Sequence, residues 1–315
     1  MSDLVSISDV AAAAVRIELH VNRTPVVTSA TVNAEVGAEV FFKCENLQKV
    51  GAFKARGAVN TVLSLGDDEA ARGVVTHSSG NHGQAVAYAA SLRGVPCTVV
   101  MPDDAPAPKV NAVRGYGATI VSCPHMEREA TTARVLDESG GVLVHPFDDP
   151  RVVAGQGTAA LELLDEVSDL DVVMTPVGGG GLMSGTAVVV RDRLGAIRLV
   201  GAEPLAADDA YRSLASGELQ PAVADPETVA DGLRTGLSEL TFAHLSQLGV
   251  EVVTVDEAAI TEAARFHLER MKLVVEPSGA TTLAALRHLD VAGKRVGVIV
   301  SGGNTDFSWL PAAAS

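Results

Sequence analysis

The sequence predicts an α/β protein built on parallel sheets covered by helices, and three observations lead there. Short Val-rich runs alternate with helical patterns along the chain. Gly-rich turns sit at the ends of those runs. Hydrophobic residues reach 47% while aromatics are only 3%, so the core must be built from Val, Ala, Leu and Ile. The chain has 315 residues. At about 150 residues per domain, that leaves room for two domains or one large α/β unit.

The elements follow in order. VVTHSSG (74–80) leads into NHGQAVAYAASLRG, CTVVMP (97–102) into APKVNAVRGYG, and ATIVSC (118–123) into EREATTARVLDESG. GVLVHP (141–146) leads into RVVAGQGTAALELLDEV, and DVVMTPVGGGG (171–181) into LMSGTAVVVRDRLG. RLVGAEP (198–204) and EVVTV (251–255) come next, and VGVIVSGGN (296–304) is the last. Strand alternating with helix is the βαβ pattern, which implies parallel pairing and right-handed crossovers. In such sheets a ligand binds beyond the carboxyl ends of the strands, where these Gly-rich stretches fall. There is no long low-complexity linker and no internal repeat. The chain ends soon after SGGN, so no appended regulatory domain is expected.

The charge excludes some partners. Lys and Arg number 24 against 39 Asp and Glu, for a formal charge of -15. An acidic surface argues against nucleic acid and against an anionic membrane. The three cysteines (Cys44, Cys97 and Cys123) form neither a CxxC pair nor a zinc spacing, and their odd number fits a reducing compartment. The start, MSDLVSISDV, lacks the basic-then-apolar order of a secretory signal. No apolar stretch approaches the roughly 20 residues that span a bilayer. A soluble cytoplasmic protein is expected.

Three motifs carry chemistry. In GAFKARGA (51–58), Lys54 stands among small residues and one aromatic, and could be an ordinary surface lysine or a nucleophile. Gly178, Gly179, Gly180 and Gly181 follow a strand and precede a helix, so their N–H groups and the helix dipole favour a phosphate; the alternative is a flexible turn. The dinucleotide pattern G-x-G-x-x-G fails here, because Met183 or Ser184 stands at its third glycine, and a monophosphate fits better. SSGNHGQA (78–85) puts Ser78, Ser79, Asn81, His82 and Gln84 at a strand-to-helix turn. That cluster suits a carboxylate and a polar ring substituent, or simply a capped helix start.

The ordered series FFKCENLQ, GAFKARGA, THSSGNHGQA, PVGGGGLMSG, GAEP, ADG, ERMKLVVEPSGA and SGGN resembles the fold type II pyridoxal-phosphate (PLP) family, and within it the serine racemase and serine/threonine dehydratase branch. The match runs from about Thr24-Pro25 to Asn304. The resemblance implies a tryptophan-synthase-β-like architecture of two lobes, each with a mostly parallel sheet covered by helices. Residues 1–72 plus 149–315 would form a large PLP-binding domain, and 73–148 a small mobile domain. Lys54 would hold PLP as a Schiff base with Phe53 packed at the ring. Gly178, Gly179, Gly180, Gly181 and Leu182 would cradle the phosphate. Asn81 would bond the ring hydroxyl and Ser301 the pyridine nitrogen. Ser78, Asn81 and His82 would clasp the substrate carboxylate, and Gly232 would pass beside the substrate. Ala52 departs from the family, where many relatives carry Ser.

The chemistry so implied is ammonia release from L-serine or L-threonine to give a keto acid, with Lys54 as base at Cα. Ser79 resembles the racemase pattern, in which a hydroxyl faces the side of Cα opposite the lysine; its other reading is a helix cap. In AEPLAADD, Glu203, the carbonyl of Ala207 and Asp209 resemble the divalent-cation site of metal-activated racemases, for Mg²⁺ with Ca²⁺ or Mn²⁺ as alternatives; an acidic helix cap is the other reading. Arg128, in HMEREA, falls near an arginine that faces the active-site mouth in relatives. Pointing inward it would make 3-hydroxyaspartate a substrate; otherwise it is an exposed helix arginine. A β-replacing synthase and a non-catalytic PLP-binding module are the remaining readings. A homodimer is expected by the same resemblance.

Overall fold

The structure is a computed structural model and describes residues 4–78, 80–105 and 107–310. Among the described residues, ten strands form two sheets. The larger has the order β1-β2-β10-β7-β8-β9 and the smaller β5-β4-β3-β6. The strands are β1 (Val26–Thr28), β2 (Glu39–Cys44), β3 (Val74–His77), β4 (Cys97–Pro102), β5 (Thr119–Cys123), β6 (Val142–Leu143), β7 (Val172–Pro176), β8 (Arg198–Pro204), β9 (Glu251–Val255) and β10 (Arg295–Val300). Every pairing is parallel except that of β1 with β2.

The sheets are parallel because their strands are buried on both faces. Every residue of β7 is buried, as are all but the first of β8 and of β10. Alternation would leave one face wet, whereas these runs do not alternate. One core joins the helices Pro150–Glu166 and Gly181–Leu194 to the large sheet, and a second covers its other face with the helix Pro277–Leu286. A third core packs the helices Lys54–Ser64 and Asn81–Arg93 against the small sheet.

Helix Pro150–Glu166 is the spine that the site depends on. It starts at an Asp149 cap with Pro150 in its first turn, where a missing N–H costs nothing. Gly155 meets helix Lys54–Ser64 so closely that a Cβ there would lie 2.6 Å from the Cα of Gly57. On the same helix Gly157 abuts Gly185 of the next, with a Cβ 2.9 Å from the Gly185 carbonyl oxygen. The helix led by Lys54 and the helix led by the glycine run therefore share one support.

Candidate active site

Lys54 is set by the segment just before it. Gly51 takes a left-handed backbone with φ of 72°, Ala52 bridges Gly302, and Phe53 N donates to the carbonyl of Ser301 at 2.9 Å. Lys54 and Ser301 are thus neighbours, Ser301 standing just past the end of β10. The Lys54 Nζ donates to the Pro146 carbonyl at 2.8 Å and lies 5.1 Å from the centre of the Phe53 ring. Desolvation lowers its pKa to about 8, with the nearby Glu276 carboxyl pulling the other way. An amine so shifted is partly neutral near physiological pH and can act as nucleophile and base.

Gly178 to Gly181 follow β7 and open the helix Gly181–Leu194, whose first amides no side chain caps. Gly180 has φ of 81°. A Cβ on Gly178 would sit 3.0 Å from the Leu233 Cα, beside Gly232, and one on Gly179 would run into the Phe147 ring. Gly179 and Gly180 leave no room for a side chain, and the turn leaves several N–H groups without side-chain partners among the described residues, the usual cradle for a phosphate. Leu182 behind it is buried.

The SSGNHGQA segment lies past β3. Ser78 Oγ accepts from Gly80 N at 3.1 Å, while Ser79 lies outside the described residues. Gly80 is the N-cap of helix Asn81–Arg93, and no side chain among the described residues caps it. His82 is buried with Nε2 2.9 Å from the Val144 carbonyl, an acceptor-only group, so Nε2 carries the proton. Its Nδ1 is buried without a partner among the described residues. Desolvation, then the Lys54 charge, hold the imidazole well below its ordinary pKa, so it is neutral. Asn81 donates from Nδ2 to Glu276 Oε1 at 2.8 Å and accepts at Oδ1 from Asn304 at 2.9 Å.

Arg128 starts helix Arg128–Ser139 and is half-buried, with Nε enclosed and unpartnered among the described residues. It is not the freely exposed helix arginine of the alternative reading. Its charge acts on His77, whose pKa falls to about 4 through desolvation first and Arg128 second. His77 packs edge-on against His145 at 5.7 Å, and His145 against Phe147 at 4.8 Å. Arg128 thus belongs to the wall that ends at the glycine turn.

Glu203, in β8, and Asp209 are buried on the far side of that turn. Glu203 Oε1 accepts from Tyr211 N at 2.8 Å and Asp209 Oδ2 from Leu237 N at 3.0 Å. Burial raises Glu203 to about 8 and Asp209 to about 6. Two enclosed carboxylates beside the Ala207 backbone form a donor set of hard oxygens that a divalent cation would stabilise. Among the described residues, no cluster of three or more His, Cys, Asp or Glu side chains forms, so a cation would depend on the carbonyl and on water. Leu237 also packs on Gly180, which links this pair of carboxylates to the cradle.

The residues fit PLP. The side-chain-free turn suits a phosphate, the unpartnered Nδ1 of His82 and the uncapped helix suit polar substrate groups, and Lys54 supplies the amine. Glu276, Asn304, His145 and Phe147 stand with these residues although the sequence motifs assign them no role; EPSGA and SGGN carry the first two and HPFDDP (145–150) the others. A family model described as "Pyridoxal-phosphate dependent enzyme" matches residues 17–302. The chain is 49% identical over 311 residues to a serine racemase of Dictyostelium discoideum, covering 96% of each. It is also 49% identical over 309 residues to a beta-hydroxyaspartate dehydratase of Paracoccus denitrificans (strain Pd 1222), covering 96% of this chain and 97% of the other. The crystal structure of a T.th. threonine deaminase superposes with a TM-score of 0.91 at 44% identity, covering 96% of this chain and 99% of that one.

Proposed function

The chain belongs to the pyridoxal-phosphate dependent enzyme family, and from that premise we propose that it is an ammonia-lyase of L-serine and L-threonine that also racemises serine. The observation that carries this reading is the Lys54 amine, lowered to about 8, set beside Ser301 and Pro146. When bound, PLP supplies the electron sink that makes the substrate Cα proton acidic. The rest falls to the chain. Lys54 Nζ takes up the proton. The amides opening helix Asn81–Arg93, with Ser78, hold the carboxylate; neutral His82, whose one N–H goes to the Val144 carbonyl, offers only an acceptor and so does not join the carboxylate clasp expected from the sequence. A hydroxyl at Ser301, unlike a carboxylate, does not favour a protonated ring nitrogen, which promotes loss of the β-hydroxyl over transamination. Ser79, which lies outside the described residues, would by its resemblance to the racemase pattern serve as the second acid–base group.

A second reading, 3-hydroxyaspartate dehydratase, is favoured by the enclosed and unpartnered Nε of Arg128, which suits a second carboxylate. Glu203, Asp209 and the Ala207 carbonyl would hold Mg²⁺, or Ca²⁺ or Mn²⁺, and steady the glycine turn through Leu237. Residues 73–148 would close on the substrate as a small lobe, and two copies would pair as a dimer in the cytoplasm. Among the described residues, no helix is long and apolar enough to cross a membrane.

The test is a product assay on purified, PLP-loaded protein with Mg²⁺. It offers L-serine, D-serine, L-threonine and threo- and erythro-3-hydroxyaspartate, with Ser79→Ala in parallel. Keto acid from L-serine or L-threonine is the expected result, together with D-serine from L-serine that vanishes in Ser79→Ala. Turnover confined to hydroxyaspartate selects the second reading. A yellow protein that turns over none of these sinks both and leaves β-replacement.

A further inference from the structure

The Asn81 amide is part of a chain of hydrogen bonds whose direction is fixed from one end. The Val50 carbonyl can only accept, and Asn304 Nδ2 donates to it at 2.6 Å. The second hydrogen of the same Asn304 nitrogen goes to Asn81 Oδ1 at 2.9 Å. That fixes Asn81 with its amide nitrogen toward Glu276, whose Oε1 accepts at 2.8 Å. Turning over either amide would set acceptor against acceptor at Val50, or donor against donor between the two asparagines.

The end points are built for this. Val50 holds a left-handed backbone with φ of 55°, a conformation that β-branched residues avoid and that functional surroundings commonly impose. Glu276 is buried, and its N–H donates to the Gly302 carbonyl at 3.1 Å. A Cβ on Gly302 would run into the Glu276 carboxyl, and one on Gly51 would reach Asn304 Oδ1 at 2.5 Å. The two glycines that flank the Lys54 segment therefore make room for the relay.

We propose that Glu276 and Asn304 are positioning residues that hold the Asn81 side-chain amide in a single orientation, with its one remaining N–H free for the ring oxygen of PLP. The proposal rests on the PLP reading of the site. Desolvation, with Asp231 behind it, raises Glu276 to about 8. At neutral pH it is then a carboxylic acid, for which the glutamine amide is a close substitute in shape and in acceptor.

The experiment compares holoenzyme spectra and PLP dissociation constants for wild type, Glu276→Gln, Glu276→Ala, Asn304→Asp, Asn81→Ala and the double variant Asn81→Ala/Glu276→Ala. A hydrogen bond to the ring oxygen alters the balance between the visible and near-ultraviolet bands, which a purely structural role would not. Glu276→Ala is expected to change that balance and to weaken PLP binding about tenfold, the value of one hydrogen bond of this kind. Glu276→Gln keeps the wild-type spectrum. Asn304→Asp, which sets a carboxylate against the Val50 carbonyl, reproduces the Glu276→Ala change from the other end and serves if Glu276→Ala does not fold. In the Asn81→Ala background, Glu276→Ala adds nothing further. Additive losses in the double variant, or a Glu276→Gln spectrum equal to that of Glu276→Ala, overturn the relay. A wild-type protein that forms no visible band with PLP overturns the functional reading and the relay with it. A yellow wild type with unchanged variants overturns the relay alone.

Discussion

Gly155 and Gly57 touch backbone to backbone: a Cβ built on Gly155 would lie 2.6 Å from the Gly57 Cα and 2.7 Å from the Arg56 carbonyl oxygen. Replacing a glycine inside a helix by alanine ordinarily stabilises, by roughly 0.5–1 kcal/mol. Here the sign reverses, because the atoms in the way are backbone and cannot rotate aside. Gly155→Ala is expected to cost about 1–3 kcal/mol in urea unfolding. It should also weaken PLP binding, since the helix it displaces begins at Lys54. A stability equal to wild type would mean that the two helices separate freely and that the crossing does not set the lysine.

Arg56, two residues beyond Lys54, is fully buried and forked onto two carboxylates. It reaches Glu45 at 2.7 and 2.8 Å and Glu162 at 2.8 Å through each of two nitrogens. Lys43 supports Glu162 at 2.7 Å, but no second cation reaches Glu45 among the ion pairs of the described residues. Arg56→Met therefore leaves a buried carboxylate uncompensated and is expected to lose about 3–5 kcal/mol. Arg56→Met with Glu45→Met should be more stable than Arg56→Met alone, by denaturant unfolding. A double variant worse than the single would show that the ion pair itself, rather than the orphaned charge, holds the helix.

What the sequence reveals depends on whether a feature is local. The strands from β3 to β10 are legible because each is a short, mostly apolar, β-rich run next to a Gly, Pro or polar turn. Neither β1 nor β2 is. The first has three residues, and the second contains Lys43, whose charge is neutralised only in the fold by Glu162 and the Thr24 carbonyl. Lys54 and the glycine turn are local motifs and carry their chemistry on their face. Glu276 and Asn304 reach Asn81 across 195 and 223 residues of chain, so no spacing rule could find them. Arg128 is ambiguous in the sequence for the same reason: His77, the side chain its charge acts on, comes from β3, far back along the chain.

The lowered pKa of Lys54 sets a direction for cofactor capture. Only a neutral amine attacks the PLP aldehyde, and the neutral fraction rises as pH passes the pKa. With the amine at about 8 in place of 10.5, reconstitution of the cofactor-free protein should accelerate as pH rises and level off above about 8. An unshifted lysine would keep accelerating toward its ordinary value. Stopped-flow absorbance over pH 6 to about 10 distinguishes the two. Glu276→Gln removes the opposing carboxyl and should leave the midpoint unchanged or lower. A midpoint moved upward would show that Glu276 does not act on the lysine as described.

If Arg128 faces the substrate as proposed, its replacement separates the two substrate readings. Its Nε is enclosed without a partner among the described residues, and no carboxylate pairs with it among their ion pairs. A guanidinium with an enclosed, unpaired Nε gains a charge-assisted partner from a bidentate carboxylate. Serine and threonine offer none at the side chain, whereas 3-hydroxyaspartate does. Arg128→Gln should therefore lower kcat/KM for 3-hydroxyaspartate by about 2–3 kcal/mol of transition-state binding, on the order of a hundredfold, mostly in KM. Serine, which never contacts the guanidinium, should change by less than about threefold. Equal losses on both substrates would mean that Arg128 supports the wall through His77 rather than meeting the substrate. Loss on serine alone would reverse the assignment and return hydroxyaspartate to the substrates this site rejects.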